Sequence, residues 1–394
     1  MKNFQARAED KLRILSNYLD YSLYKIRSLF SKEPSLNNVK NILVIELKRI
    51  GDILVTTPTF RALKKNFSQA NIDIVIPPGM EEVLLLNPNI NKILVWDRDK
   101  IKENYSAYLQ QIKDRYDLAI ILHNGTYEVS KLLKEANIPY RIGCTRVGFS
   151  EPKGYFLTKQ LLPDRKLKHK IEDNLDVLKL IGINNVEDKS PEAYVSKEAD
   201  QWAKQKLKEH KINSKDFIVI FSVVSWTHPT WFKERFAELA DKLIENYKAK
   251  IIFLGTEKEK EFIYSVKELM KQRKNNYWFD QTSIQQLFAI IKNSNLVVGI
   301  DSGLTNIAAA LNKPVVTLFG AGDKTIWAPY SENSISIQKD EVCTACMKSE
   351  CKWKDRRNLE CMKAITIEDV LRAAEKLTGS FKYNKSITNY SENV

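Results

Sequence analysis

The chain has 394 residues, 43% of them hydrophobic and 28% charged, with a formal net charge of +13. That length exceeds one ordinary core and suits two α/β domains. No apolar run is long enough to cross a bilayer, and the charge favours an acidic partner such as an anionic membrane surface, a phosphorylated substrate or nucleic acid. No zinc-finger, RNA-recognition or helix-turn-helix signature accompanies the charge, so nucleic acid is set aside.

Residues 1–38 form a separate predicted element. Leu12, Leu15, Leu19, Leu23, Ile26 and Phe30 recur at helical spacing with Lys and Arg between them. This basic amphipathic helix reads either as an interfacial membrane anchor or as a helix packed on the domain behind it. Arg13, Asp20, Lys25 and Arg27 interrupt its apolar residues, so it is not a secretory leader. The expected location is the cytoplasm.

From residue 39 short apolar runs alternate with amphipathic stretches. Ile42–Leu47, Ile72–Ile76, Ile93–Trp96 and Leu118–Leu122 are predicted strands, with a helix over Thr59–Asn66 among the stretches between them. The pattern returns with Phe217–Phe221, Ile251–Leu254, Leu296–Ile300 and Val315–Phe319. Such runs suit buried parallel strands, and two blocks of βαβ units give two doubly wound sheets. The polar stretch from Ile183 to Ser214, with a charged helix over Lys197–Lys211, separates them. The predicted domains are 39–190 and 191–378, followed by a polar tail, 379–394, of the kind that frays.

The first strand runs into Lys48-Arg49-Ile50-Gly51-Asp52. A glycine turn between strand and helix lies at the carboxyl end of the sheet, where open α/β folds bind ligands. Without a GxGxxG pattern a dinucleotide reading is weak. A carboxylate here, Asp52, either takes a proton from a substrate hydroxyl or caps the following helix.

Further on, Val298-Gly299-Ile300-Asp301-Ser302-Gly303-Leu304 reads as a buried strand ending at Asp301, with small residues opening a helix. The backbone N–H groups of Ser302, Gly303 and Leu304 suit a diphosphate. Glu257, after the strand Ile251–Leu254, reads as an acid favoured at a helix start.

Five cysteines are present. Cys343, Cys346, Cys351 and Cys361 cluster within 343–361 as CxxC-x4-C-x9-C, which reads as a structural zinc site, as free thiols, or as two disulfides formed on oxidation.

The stretch NILVIELKRIGDILVTTPTFRALKKNF resembles the opening of glycosyltransferase family 9, the ADP-heptose:lipopolysaccharide heptosyltransferases. The likeness continues at HKIEDNLDVLKLIG and at DSGLTNIAAAL followed by PVVTLFG, and covers roughly 41–375. It implies a GT-B fold, two Rossmann-like domains facing a central cleft. It implies inverting transfer of a sugar, heptose from ADP-heptose, onto a lipid-linked anionic glycan at the inner face of the cytoplasmic membrane.

The resemblance makes Asp52 the general base. Acceptor contacts then fall to Gly51, Lys48, Arg49, Arg61 and Lys64, with Lys65, Arg141, Arg146, Lys153 and Lys168 as further cations. Donor contacts fall to Asp301, Ser302, Gly303, Leu304, Glu257 and Thr282. The chain departs from the family pattern in three places. Pro229 stands where a phosphate-pairing lysine is usual, Asn306 where a histidine is common, and a Pro-Gly segment is missing. Lys233 or His228 is expected to supply the lost charge.

No Asp-x-Asp metal motif is read at a suitable strand end, so catalysis is expected to need no metal. The rivals are the same fold with another donor sugar, a sugar-nucleotide epimerase, and a non-catalytic glycan- or lipid-binding protein.

Overall fold

The computed structural model describes residues 26, 36, 38–122, 127–144, 156–161, 167–223, 230–279, 281–339, 345–355 and 357–379. The basic N-terminal segment, apart from Ile26 and Leu36, and the tail after residue 379 lie outside the described residues. So do Arg146, Lys153, His228, Pro229 and Cys343. The chain divides into two compact units, one ending at Lys189 and the next starting at Ser190.

The first unit holds β1 (Asn41–Ile45), β2 (Asn71–Ile76), β3 (Lys92–Val95), β4 (Leu118–Ile121), β5 (Tyr140–Cys144) and β6 (Lys159–Leu161). Its helices are α1 (Ile50–Leu54), α2 (Thr57–Asn66), α3 (Tyr105–Ile112), α4 (Tyr127–Glu135) and α5 (Lys170–Leu178). All strand pairs are parallel, in the order β3-β2-β1-β4-β5-β6. Because β1 lies mid-sheet with both faces covered, Ile42 to Ile45 show no alternation and are all fully buried.

The second unit repeats the plan. It holds α6 (Lys197–Glu209), β7 (Ile218–Ser222), α7 (Lys233–Tyr247), β8 (Lys250–Leu254), α8 (Lys260–Leu269) and β9 (Asn276–Phe279). Then come α9 (Ile284–Lys292), β10 (Leu296–Ile300), α10 (Gly303–Ala310), β11 (Val315–Leu318), α11 (Lys324–Trp327) and β12 (Ser334–Ile337). Two last helices, α12 (Glu360–Lys363) and α13 (Ile367–Thr378), close the unit. The strand order is β12-β11-β10-β7-β8-β9, again all parallel.

In each sheet the first strand has the second on one side and the fourth on the other. The connections therefore leave in opposite directions from β1/β4 and from β7/β10. Those are topological switch points, where the carboxyl ends of the strands open a crevice. The Gly51-Asp52 turn follows β1, and Asp301-Ser302-Gly303 follows β10.

Trp231 anchors the second core. It is fully buried, meets Phe236 edge to face at 5.1 Å, and its Nε1 donates to Ile365 O at 3.2 Å. Arg235 is held just above it. Its guanidinium lies over the Trp231 and Phe232 rings and donates to the carbonyls of Met362, Lys363 and Ile365. These bonds tie the start of α7 to the α12–α13 junction.

No described helix is long and apolar enough to cross a membrane.

Candidate active site

Residues 46–55 build the candidate site of the first unit. Arg49 is the N-cap of α1 with extended backbone and makes no side-chain cap bond, so Asp52 lies inside the first turn. The helix-cap reading of Asp52 therefore has no support in the geometry. Its Oδ1 is buried without a hydrogen-bond partner and stands 3.8 Å from Lys48 Nζ. The carboxylate side chain is only 14% exposed, which leaves one edge open to a ligand. Gly51 and Lys48 share this turn and Arg49 is exposed beside it.

Among the described residues, Arg61, Lys64, Lys65, Arg141 and Lys168 have their partners elsewhere. Lys64 is near the end of α2 and donates to Ala70 O at 2.8 Å, just ahead of β2. That is the amino end of the sheet, opposite Asp52. Lys65 and Arg61 turn to Glu187 and Asp188, at 3.3 and 3.2 Å. Helical spacing puts these three on one helix, but not at the end of the sheet that carries Asp52. Arg141 is buried in β5, with its guanidinium donating to the carbonyls of Phe156 and Ile138. Lys168 pairs with Asp176 at 2.9 Å.

Sequence reading passed over Glu46, Lys170 and Asn174. Glu46 immediately follows β1 and is fully buried. Lys170, the first residue of α5, is also buried and donates to Leu122 O at 3.0 Å and to Asn174 Oδ1 at 2.7 Å. Asn174 in turn donates to Val55 O at the end of α1, at 3.3 Å. A signal existed: β1 is an unbroken apolar run, so a charge continuing that run points to the interior.

Sequence reading also overlooked an Asp-x-Asp triplet, Asp97-Arg98-Asp99, directly after β3. In the structure Asp97 accepts from Asp99 N at 3.0 Å and caps a short 3₁₀ turn.

The second unit gathers its candidates at the carboxyl end of its sheet. Ser302 is the N-cap of α10, and its hydroxyl meets that of Ser222, the last residue of β7, at 2.9 Å. Ser302, Gly303 and Leu304 are half-buried, so the helix start remains reachable. Its N-terminus carries roughly half a positive charge. Burial pushes the Asp301 carboxyl up to about 7. Asn306 is nearly buried and spends its Nδ2 on Ser302 O at 3.2 Å.

Gly299 makes this approach possible. A Cβ there would come within 2.7 Å of Ser222 Cβ.

Lys233 is exposed at the first position of α7 and has no hydrogen-bond or ion-pair partner among the described residues. The Thr230 hydroxyl, donating to Val223 O, holds the approach to α7 against the end of β7. Arg235, two residues on, is committed to backbone carbonyls. Glu257 is exposed and pairs with Lys260 at 2.6 Å, behind a Thr256 capping box. Thr282 precedes Ser283, the capping-box N-cap of α9.

Of the cluster cysteines, Cys346 and Cys351 are free. Cys361 is buried in the second core, where its sulfur packs close to Gly320, and Cys351 Sγ accepts from Leu359 N at 3.4 Å. Among the described residues no group of three or more His, Cys, Asp or Glu is arranged to hold a metal. The expected structural zinc site therefore has no support: Cys361 belongs to the apolar core.

Residues 106–356 match the model of glycosyltransferase family 9 (heptosyltransferase). The chain belongs to this family. Lipopolysaccharide heptosyltransferase 3 of Escherichia coli K12 is 27% identical over 339 residues, covering 83% of this chain and 95% of that protein. A glycosyltransferase family 9 crystal structure from Veillonella parvula superposes with a TM-score of 0.75 at 24% identity, covering 89% of this chain and all of that one. The E. coli ADP-heptose lps heptosyltransferase II gives 0.67 at 21% identity, with 86% and 98% covered. The fold is GT-B and the chain is a glycosyltransferase.

Proposed function

We propose that this glycosyltransferase moves a heptosyl residue from ADP-heptose to a lipopolysaccharide-core or related anionic acceptor, with inversion and without a catalytic metal. The observation that carries the reading is Asp52. Its buried, unpartnered oxygen sits at a switch-point crevice with a cation 3.8 Å away. Donor and acceptor classes are carried by relatives named for heptose transfer to lipopolysaccharide.

In this reading Asp52 removes the proton of the acceptor hydroxyl as its oxygen bonds to the donor's anomeric carbon. The bond from that carbon to the diphosphate breaks, and the nucleoside diphosphate leaves with the electron pair. The N–H groups of Ser302, Gly303 and Leu304 and the ammonium of Lys233 stabilise the charge that develops there. Asp301 grips sugar hydroxyls, Glu257 the ribose, and Thr282 lies near the base. Lys48, Arg49 and Gly51 receive the acceptor. The basic N-terminal segment holds the enzyme at the inner face of the cytoplasmic membrane.

Pro229 and Asn306 favour a second reading, in which the donor is another nucleotide sugar. A coupled assay for nucleoside diphosphate release, run with ADP-heptose and with other nucleotide sugars, separates the readings. ADP release that requires acceptor supports heptosyl transfer. Release from a different donor only moves the assignment, and binding without turnover under all conditions overturns it.

A further inference from the structure

Glu46 is anomalous. It is 0% exposed, and neither carboxylate oxygen has a hydrogen-bond partner. Its backbone is still in the sheet, donating to Val75 O at 3.0 Å. A buried carboxyl left this way costs several kcal/mol if ionised, and this one lies six residues before the base.

The charges that reach Glu46 are those of Lys170, Asp52, Lys48 and Arg98, and those that reach Lys170 are Glu46, Lys48, Asp52 and Asp173. Burial lifts the Glu46 carboxyl to about 8, with Asp52 adding to the rise and Lys170 opposing it. Burial lowers the Lys170 ammonium, while Glu46 and Asp52 support its charge. Two carboxyls that feel one another do not ionise together cheaply; the drier one keeps the proton. Here Glu46 is the drier one. Asp52 has Lys48 beside it and a partly open edge. The same Lys170 reaches Val55 O through Asn174, so the cation is built into the support of α1.

We propose that Glu46 and Lys170 are positioning residues for the transfer reaction, a buried acid and a buried cation that support the turn and helix carrying Asp52. The proposal rests on Asp52 being the base. Near neutral pH Glu46 holds its proton and adds no second charge next to an anionic acceptor. As pH rises through about 8 it ionises, acceptor binding weakens, and kcat/KM falls. Lys170 acts through Asn174, which donates to Val55 O at the end of α1.

The test uses the full chain. The wild-type minus Glu46→Gln infrared difference spectrum, in which the Asp301 carboxyl cancels, should show a protonated-carboxyl band that titrates near pH 8. The pH profile of kcat/KM should lose its alkaline limb in Glu46→Gln and keep its acid limb. Lys170→Met should lower kcat/KM, and Lys170→Arg, which keeps a cation at the head of α5, should restore part of it. A wild type with no protonated-carboxyl band that titrates near pH 8, apart from the Asp301 band nearer 7, overturns the proposal, as does that pH 8 band or the alkaline limb surviving in Glu46→Gln. If either variant is misfolded by circular dichroism, the remaining variant and the wild-type spectrum decide. The infrared result does not depend on Asp52 being the base, so failure of that role is told apart by full activity of Asp52→Asn.

Discussion

The hydroxyls of Ser222 and Ser302 meet at 2.9 Å, joining the end of β7 to the start of α10. That contact exists because Gly299, paired with Ser222 in the parallel ladder, carries no side chain. Gly299→Ala would place a Cβ 2.7 Å from Ser222 Cβ and 3.0 Å from its carbonyl oxygen. The strands must then separate. Overpacking of this kind costs about 1–3 kcal/mol. The expected outcome is a lower Tm together with a weakened affinity for nucleoside diphosphate, read by calorimetry. A Tm fall with unchanged affinity would detach this contact from the donor site.

Asp301 should make donor use sensitive to pH. Burial holds its carboxyl near 7, so the neutral form dominates below that value and the carboxylate above it. A carboxylate accepts from two sugar hydroxyls, whereas the neutral acid keeps less acceptor capacity. Donor KM should therefore rise as pH falls through about 7, and Asp301→Asn should flatten that dependence while raising KM at every pH. A wild-type donor KM that is level across this range would remove the assigned role.

Lys233 is the exposed cation at the head of α7 without a described partner. If it pairs with the donor diphosphate, it does so in ground and transition states alike. Lys233→Ala should then raise donor KM more than it lowers kcat. Calorimetry with ADP alone should show weakened binding in this variant and near-normal binding in Asp301→Ala. Equal ADP affinity in Lys233→Ala and wild type would transfer the phosphate role to another residue.

Stability should carry the mark of Glu46. Its folded-state carboxyl lies near 8, above the ordinary value of 4.5. A raised value means that the folded protein binds the proton more tightly. The stability from this group is fully present below the unfolded value and is lost as pH rises from there through about 8. Glu46→Gln cannot titrate, so its Tm relative to wild type should climb across that window. A Tm difference that does not change with pH would mean that Glu46 is charged throughout.

Much of the fold was legible because the central strands are covered on both faces. The apolar runs that became β1, β2, β4, β7, β8, β10 and β11 have a single hydrophobic texture that survives without any structure. β6, β9 and β12 did not show it. They are edge or outer strands, mostly half-buried, and sequences such as Lys159–Leu161 and Ser334–Ile337 carry polar residues on the open side. β5 hid for another reason: Arg141 interrupts it, and its guanidinium is buried only because the carbonyls of Phe156 and Ile138 receive it.

In the site, the turn at Asp52 and the helix start at Ser302 were readable as strand-glycine-helix patterns. The positions of Arg61 and Lys64 were not, since helical spacing gives a face and not the end of the sheet to which a long side chain reaches. Glu46 and Lys170 lie 124 residues apart, and only the three-dimensional pairing of β1, β4 and α5 places them in one electrostatic cluster.

The most direct test of the central claim is single-turnover transfer from ADP-heptose, followed by the mass of the acceptor, in wild type and Asp52→Asn. Removing a general base typically costs about 10²-fold or more in rate. Asp52 makes no cap bond, so the fold of the variant should be intact by circular dichroism. The account predicts one heptose added per acceptor by the wild type, and a rate at least about 10²-fold lower in Asp52→Asn with ADP affinity retained. Transfer by Asp52→Asn at the wild-type rate would contradict it.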